Sequence, residues 1–174
     1  MDLDQFNQAS PAEASAAASV WVAIPAWVEQ VVSGRPYASV DEAADAAETA
    51  SRTWDAADLD AALAHHPRIG QRPTGSGAEA DASRREQASM AGTSAAIADE
   101  MAAANAAYEE RFGRVFLIRA AGRSPEEMLA EALRRLGNDD AAEATESLAQ
   151  LREIALLRLR QTLHTPDSTA EARR

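Results

Sequence analysis

YEERFGRVFLIRAAGRSPEEML, residues 108–129, decides the fold class. A helical run stops at Gly113, the short apolar run VFLIRA follows at 115–120 with Arg119 inside it, and Ser124-Pro125 with Glu127 opens a new helix. Serine at the cap, proline at the first helical position and a carboxylate three residues on satisfy or dispense with the amides that a helix start leaves unpaired. VFLIRA is the nearest thing to a strand in the chain, and its arginine breaks the alternation a half-buried strand needs. The stretch therefore predicts helix, extended connector, helix.

The same punctuation recurs in both directions. Ser10-Pro11, Ser39 with Glu42, and Asp55 ahead of AADLDAALA are start signals, while Gly34, Gly70, Gly92, Gly113 and Gly137 are stop signals. Between them the pattern predicts helices over 11–19, 25–33, 40–53, 56–64, 79–90, 94–111, 125–136 and 140–163. The expected fold class is all-α: one compact bundle of about eight helices over residues 1–164. QRPTGSGA, 71–78, reads as a loop, and 165–174 as a frayed or disordered tail.

Composition narrows the function classes. The 174 residues suit one core, and the 46% hydrophobic share leans heavily on alanine, which favours closely packed helices. A net charge of -11 works against binding nucleic acid or anionic lipid. All 17 basic residues are arginine, so lysine Schiff-base chemistry and a phosphate-binding P-loop are excluded. Cysteine is absent, which removes disulfides, thiolate nucleophiles and cysteine-ligated metals and fits a reducing compartment. MDLDQFNQAS at the start has no basic-then-apolar leader pattern and no segment reads as a membrane span, so a cytoplasmic protein is expected.

Four constellations could carry chemistry. In HHPRIGQRP, 65–73, Pro67 disfavours the helical conformation at His66 and presents that imidazole at a helix end, where it could donate or accept a proton near neutral pH. The pair could equally be placed there by the negative end of the helix dipole. Adjacent histidines diverge by about 100° on a helix, which argues against a shared metal. In SRREQASM, 83–90, Ser83, Glu86, Gln87 and Met90 share one helix face, which could hold a polar ligand or simply meet solvent. On the last helix Arg158 falls between Leu151 and Ile154 in the apolar sector, whereas Arg160 lies beside Glu153 on the polar side. A guanidinium facing inward needs a carboxylate or a ligand, or must snorkel outward. In the connector, Phe116, Leu117 and Ile118 can anchor a core while backbone groups from Phe116 to Ala120 stay open to a ligand.

Taken together, HPRIG (66–70), SxxEQ (83–87), YExRFGxxFLIRAAGRS (108–124) and EIALLRL (153–159), with WVEQVVSGRPY (27–37), resemble the 2-oxo-4-hydroxy-4-carboxy-5-ureidoimidazoline (OHCU) decarboxylase family over about residues 3–163. The resemblance implies an all-α, homodimeric enzyme without metal or organic cofactor, which converts OHCU to (S)-allantoin in urate degradation and binds neither nucleic acid nor membrane. It makes His66 the proton donor with Glu86 beside it, and Pro67 a neighbour of the substrate. Ser83, Arg84, Arg85 and Gln87 would line the site. The backbone of Phe116, Leu117, Ile118, Arg119 and Ala120 would meet the ring and ureido groups. Arg158 would hold an anionic or carbonyl oxygen, with Arg160 as the other candidate. Arg68 and Arg72 could guide an anionic substrate. A non-enzymatic helical binding module, or an enzyme for a related ureido-carboxylate, are the competing readings.

Overall fold

The structure, a computed structural model, describes residues 1–64, 66–71, 78–90 and 92–164, with the side chains of Glu79 and Ser89 excepted. His65, Arg72, most of the expected 71–78 loop and the expected tail lie outside the described residues. Among those described, the chain forms nine α-helices, two short 3-10 turns and no strand. They fall into two compact units, Met1–Thr53 with Ala155–Arg174, and Trp54–Ile154.

The first unit holds α1 (Leu3–Gln8), α2 (Pro11–Trp21), α3 (Pro25–Ser33), α4 (Val40–Ala50), a 3-10 turn over Ser51–Thr53, and the last turns of α9 (Asp140–Thr162). Serine caps do the predicted work: Ser10 accepts from the Glu13 amide and Ser39 from the Glu42 amide. The additional helix α1 starts at a capping box between Asp2 and Gln5. Alanine lets the helices close on one another, with Ala14, Ala18, Ala43 and Ala47 entirely buried. Around them Phe6 packs on Trp21 at 5.2 Å and Trp21 meets Trp27 edge-on at 6.4 Å. Each indole N–H finds an acceptor, Trp27 at the Ala47 carbonyl (2.8 Å) and Trp21 at Thr162 Oγ1 (3.1 Å). In the RPY motif, Arg35 donates to the carbonyls of Phe6 and Ala9, closing the end of α1, and stacks over the Phe6 ring.

The second unit holds α5 (Ala56–Leu63), α6 (Ala78–Glu86), a 3-10 turn over Ala88–Met90, α7 (Ala95–Phe112), α8 (Pro125–Arg135) and α9 up to Ile154. The expected helix over 79–90 is thus broken at Gln87. Gly113 ends α7 in the left-handed region (φ 68°), and the Ser124–Glu127 capping box opens α8 as read from the sequence. Between them residues 115–120 take no regular structure; Leu117 is buried, and Phe116 and Ile118 are buried in one cluster with Tyr108, Met101, Met128 and Ala132.

A main chain buried without helix or ladder must find partners elsewhere. Arg135, fully buried on α8, donates through Nη1 to the Leu117 carbonyl (2.8 Å) and through Nε and Nη2 to Glu143 on α9. Tyr108 donates its hydroxyl to the same Glu143 carboxylate, and Ser147 accepts from Arg135 at 2.7 Å. Burial pushes the Glu143 carboxyl up, but the Arg135 guanidinium and the Tyr108 hydroxyl together hold it below its ordinary value. Burial, then the hydrogen bond to Glu143, pushes the Tyr108 hydroxyl up to about 12. Gln150 completes the anchoring by accepting the Arg119 amide at 2.9 Å.

Candidate active site

His66 stands three residues past the last residue of α5. Its amide donates to the Leu63 carbonyl (3.0 Å), ending the helix one turn before the proline, and the residue is half-buried. The helix therefore ends at Leu63, and His66 lies in the turn between that end and Pro67.

The turn after it is held at three consecutive residues. Arg68 pairs with both carboxylate oxygens of Glu109, the Ile69 carbonyl accepts from Asn105 Nδ2 at 2.9 Å, and the Gly70 amide donates to Gln87 Oε1 at 3.0 Å. Gly70 takes φ 84°, and a Cβ there would sit 3.3 Å from Met90 Cε, so glycine serves both the turn and the close approach. Arg68, unexplained by the sequence, is thus an ion-pair partner of α7.

The Gln87 contact matters most for chemistry, because it ties the end of α6 to the turn that carries His66. Along α6, Ser83 is buried (2% exposed) and Glu86 half-buried, while Arg84 and Arg85 are exposed and Arg84 pairs with Asp81. The face predicted from spacing is therefore an inward one at Ser83 and Glu86. The two arginines point away from it.

In the connector, two of the expected backbone contacts are already engaged. The Leu117 carbonyl is taken by Arg135 and the Arg119 amide by Gln150. The Arg119 side chain is committed as well, to Glu153 at 2.8 Å and to the Ala121 carbonyl at 2.7 Å. Phe116, Leu117, Ile118 and Ala120 are at most 3% exposed.

In the first unit, the helical-wheel distinction between Arg158 and Arg160 on α9 holds. Arg158 is 5% exposed and donates to the Val20 carbonyl at 3.1 Å, whereas Arg160 is exposed and stands 4.0 Å from Asp41. Among the described residues no three His, Asp or Glu side chains gather closely enough to hold a metal ion.

Sequence reasoning missed Asn105, Gln150 and the Arg135–Glu143–Tyr108 cluster. Arg135 left a signal, since it continues the stripe Met128, Ala132, Arg135 on the apolar side of α8. Asn105, inside an alanine-rich helix, left none.

An all-helical chain that offers a histidine on a proline turn, fastened to a helix bearing a buried serine and a carboxylate, has the makings of a general acid–base enzyme. Comparison with known proteins makes this specific. The family model described as OHCU decarboxylase matches residues 7–160. A 2-oxo-4-hydroxy-4-carboxy-5-ureidoimidazoline decarboxylase from Amia calva is 31% identical over 169 residues, covering 95% of this chain and 97% of its own. One from Haloferax volcanii is 32% identical over 143 residues, covering 81% and 80%. A crystal structure of OHCU decarboxylase in the presence of (S)-allantoin superposes with a TM-score of 0.71 at 26% identity, covering 84% of this chain and 96% of that one. The chain belongs to the OHCU decarboxylase family.

Proposed function

We propose that the protein decarboxylates OHCU to (S)-allantoin in urate breakdown, as a cofactor-independent carboxy-lyase. The observation that carries the reading is the Gln87–Gly70 hydrogen bond, which fastens the His66 turn to the helix that bears Ser83 and Glu86.

The reaction asks for orientation and one placed proton. As the bond to the carboxylate breaks, its electron pair flows into the adjacent C=N of the imidazoline ring and carbon dioxide leaves. The ring carbon that bears the ureido group then takes a proton from one face, which fixes the product's hand, while the hydroxyl on the neighbouring carbon passes its proton to the ring nitrogen and becomes the carbonyl. His66 supplies that proton, and Glu86 orients the imidazole. Ser83, Pro67 and the connector from Phe116 to Ala120 shape the pocket, and Gln87 holds the turn. Arg158 is proposed to hold an anionic or carbonyl oxygen of the substrate, on the strength of its inward guanidinium. A cytoplasmic homodimer completes the proposal, supported by the family resemblance.

The test generates OHCU in place from urate with urate oxidase and the hydrolase that precedes this step, and follows allantoin by circular dichroism. Wild-type protein should speed the appearance of a single enantiomer. His66→Ala should lose about 10²–10⁴-fold in kcat with its helical dichroism intact. No acceleration by wild-type protein would sink the function, and an unchanged rate in His66→Ala would sink the role of His66.

A further inference from the structure

Asn105 is the one polar side chain between Met101 and Tyr108 on the alanine-rich α7, and it is 3% exposed. Burying an amide carries a desolvation cost that a hydrogen bond must offset. Its Nδ2 donates to the Ile69 carbonyl at 2.9 Å, a backbone group 36 positions back in the chain. Glu109, one turn further along α7 and on the same face, accepts from both Nε and Nη2 of Arg68. One face of one helix thus grips two consecutive residues.

Those two residues lie just past Pro67. Upstream, the His66 amide is tied to the Leu63 carbonyl at 3.0 Å; downstream, α7 holds Arg68 and Ile69. Only Pro67 stands between the two anchors, and its ring fixes φ, so few soft dihedrals remain to absorb a displacement of the turn. A shift at 68–69 is therefore passed on to His66. The Arg68–Glu109 pair is partly open to solvent, where an ion pair adds little to stability. Arg68 is also engaged by a carboxylate, which offsets the charge that an anionic substrate would follow.

We propose that Asn105 and the Glu109–Arg68 pair are positioning residues: from one face of α7 they fix the turn that sets where the His66 imidazole stands. The kinetic consequence rests on the decarboxylase reading, in which that imidazole delivers the proton. The placement itself does not.

A charge-swap cycle on the full-length protein tests this. Arg68→Glu and Glu109→Arg each set like charges together, and the double variant restores an opposite pair without touching the core. Each single variant should lower kcat by up to about 10²-fold with KM little changed, and the double variant should recover most of the loss. Asn105→Leu, which leaves the Ile69 carbonyl unpaired, should lose kcat in the same way; should that variant fail to fold, the surface swap still decides. The second readout needs no turnover. The chain has three histidines, so ¹³C-histidine labelling gives few ring signals, with that of His66 identified by its loss in His66→Ala. The His66 signal should move in each single variant and return in the double, while that of His164 stays in place. The proposal is overturned if the His66 signal is the same in every variant, whatever happens to Tm. It is overturned equally if Arg68→Glu raises KM and the double variant does not recover, which would make Arg68 a substrate contact. A wild-type protein without decarboxylase activity would refute the functional reading alone, because the ring signals would still decide the placement.

Discussion

Arg135→Met puts the buried cluster of the second unit to its hardest test. The guanidinium is 1% exposed, as is its partner Glu143. It also donates to Ser147 and to the Leu117 carbonyl. Methionine fills much of the volume and supplies no donor, which leaves a buried carboxylate without its counter-charge. Removing one member of a buried pair costs about 3–5 kcal/mol. At roughly 2–4 °C per kcal/mol for a chain of this size, Tm should fall by about 6–20 °C. Urea unfolding at pH 7, read by helical circular dichroism, measures the loss. The double variant Arg135→Met/Glu143→Leu removes both charges, and replacing a buried pair with apolar groups is often neutral or better. The double variant should therefore recover most of the stability that the single one loses. A single-variant loss under about 1 kcal/mol, no more than an ordinary hydrogen bond, would refute the reasoning. So would a double variant no more stable than the single.

Other outcomes follow from the same geometry. Tyr108 ionises near 12 when folded, above its ordinary 10.0, so its contribution is whole below pH 10 and fades as pH rises toward 12. Tyr108→Phe should accordingly lower stability below pH 10 and flatten its decline between pH 10 and 12, followed by urea unfolding across that range, and a variant whose stability falls as steeply as wild type's would contradict the assignment. Glu143, held below its ordinary value, acts at the other limit: its stabilisation is present above the ordinary carboxylate pKa and lost as pH falls through the lowered one. Gly113→Ala forces a side chain into the left-handed region at about 1–2 kcal/mol, and Ser124→Ala removes a cap at about 1 kcal/mol; thermal melts indistinguishable from wild type would count against both. Gln87→Ala frees the Gly70 amide and loosens the His66 turn, so kcat should drop by up to about 10²-fold with KM little changed. A rise in KM alone would instead make Gln87 a substrate contact.

Local signals told where helices begin and end, because caps and stops act within one turn. Ser10, Ser39, Asp55 and Ser124 each cap the helix expected after them, and Gly113 ends α7 within a residue of the expected place. The short α1 escaped because six residues are too few to show a period, although its Asp2–Gln5 box was present. The helix expected across 79–90 gives way after Glu86 to a 3-10 turn, at the point where the Gln87 side chain reaches Gly70, a partner 17 positions away that no local pattern encodes. Placement divides along the same line. The position of His66 past the end of α5 could be read from the proline beside it, and the burial of Arg158 from the apolar sector of its helix. Asn105 and Gln150 could not, since each is defined by a backbone group of a distant segment.

The connector at 115–120 also sets how the second unit breathes. Helix amides protect one another in series and can fray singly from an end, but a segment tied down by side chains from two helices has no end to fray from. Its Arg119 amide is released only when Gln150 withdraws, and its Leu117 carbonyl only when Arg135 does. Hydrogen exchange should therefore find the connector opening together with the start of α9 at one shared free energy, as a single cooperative patch rather than a loop.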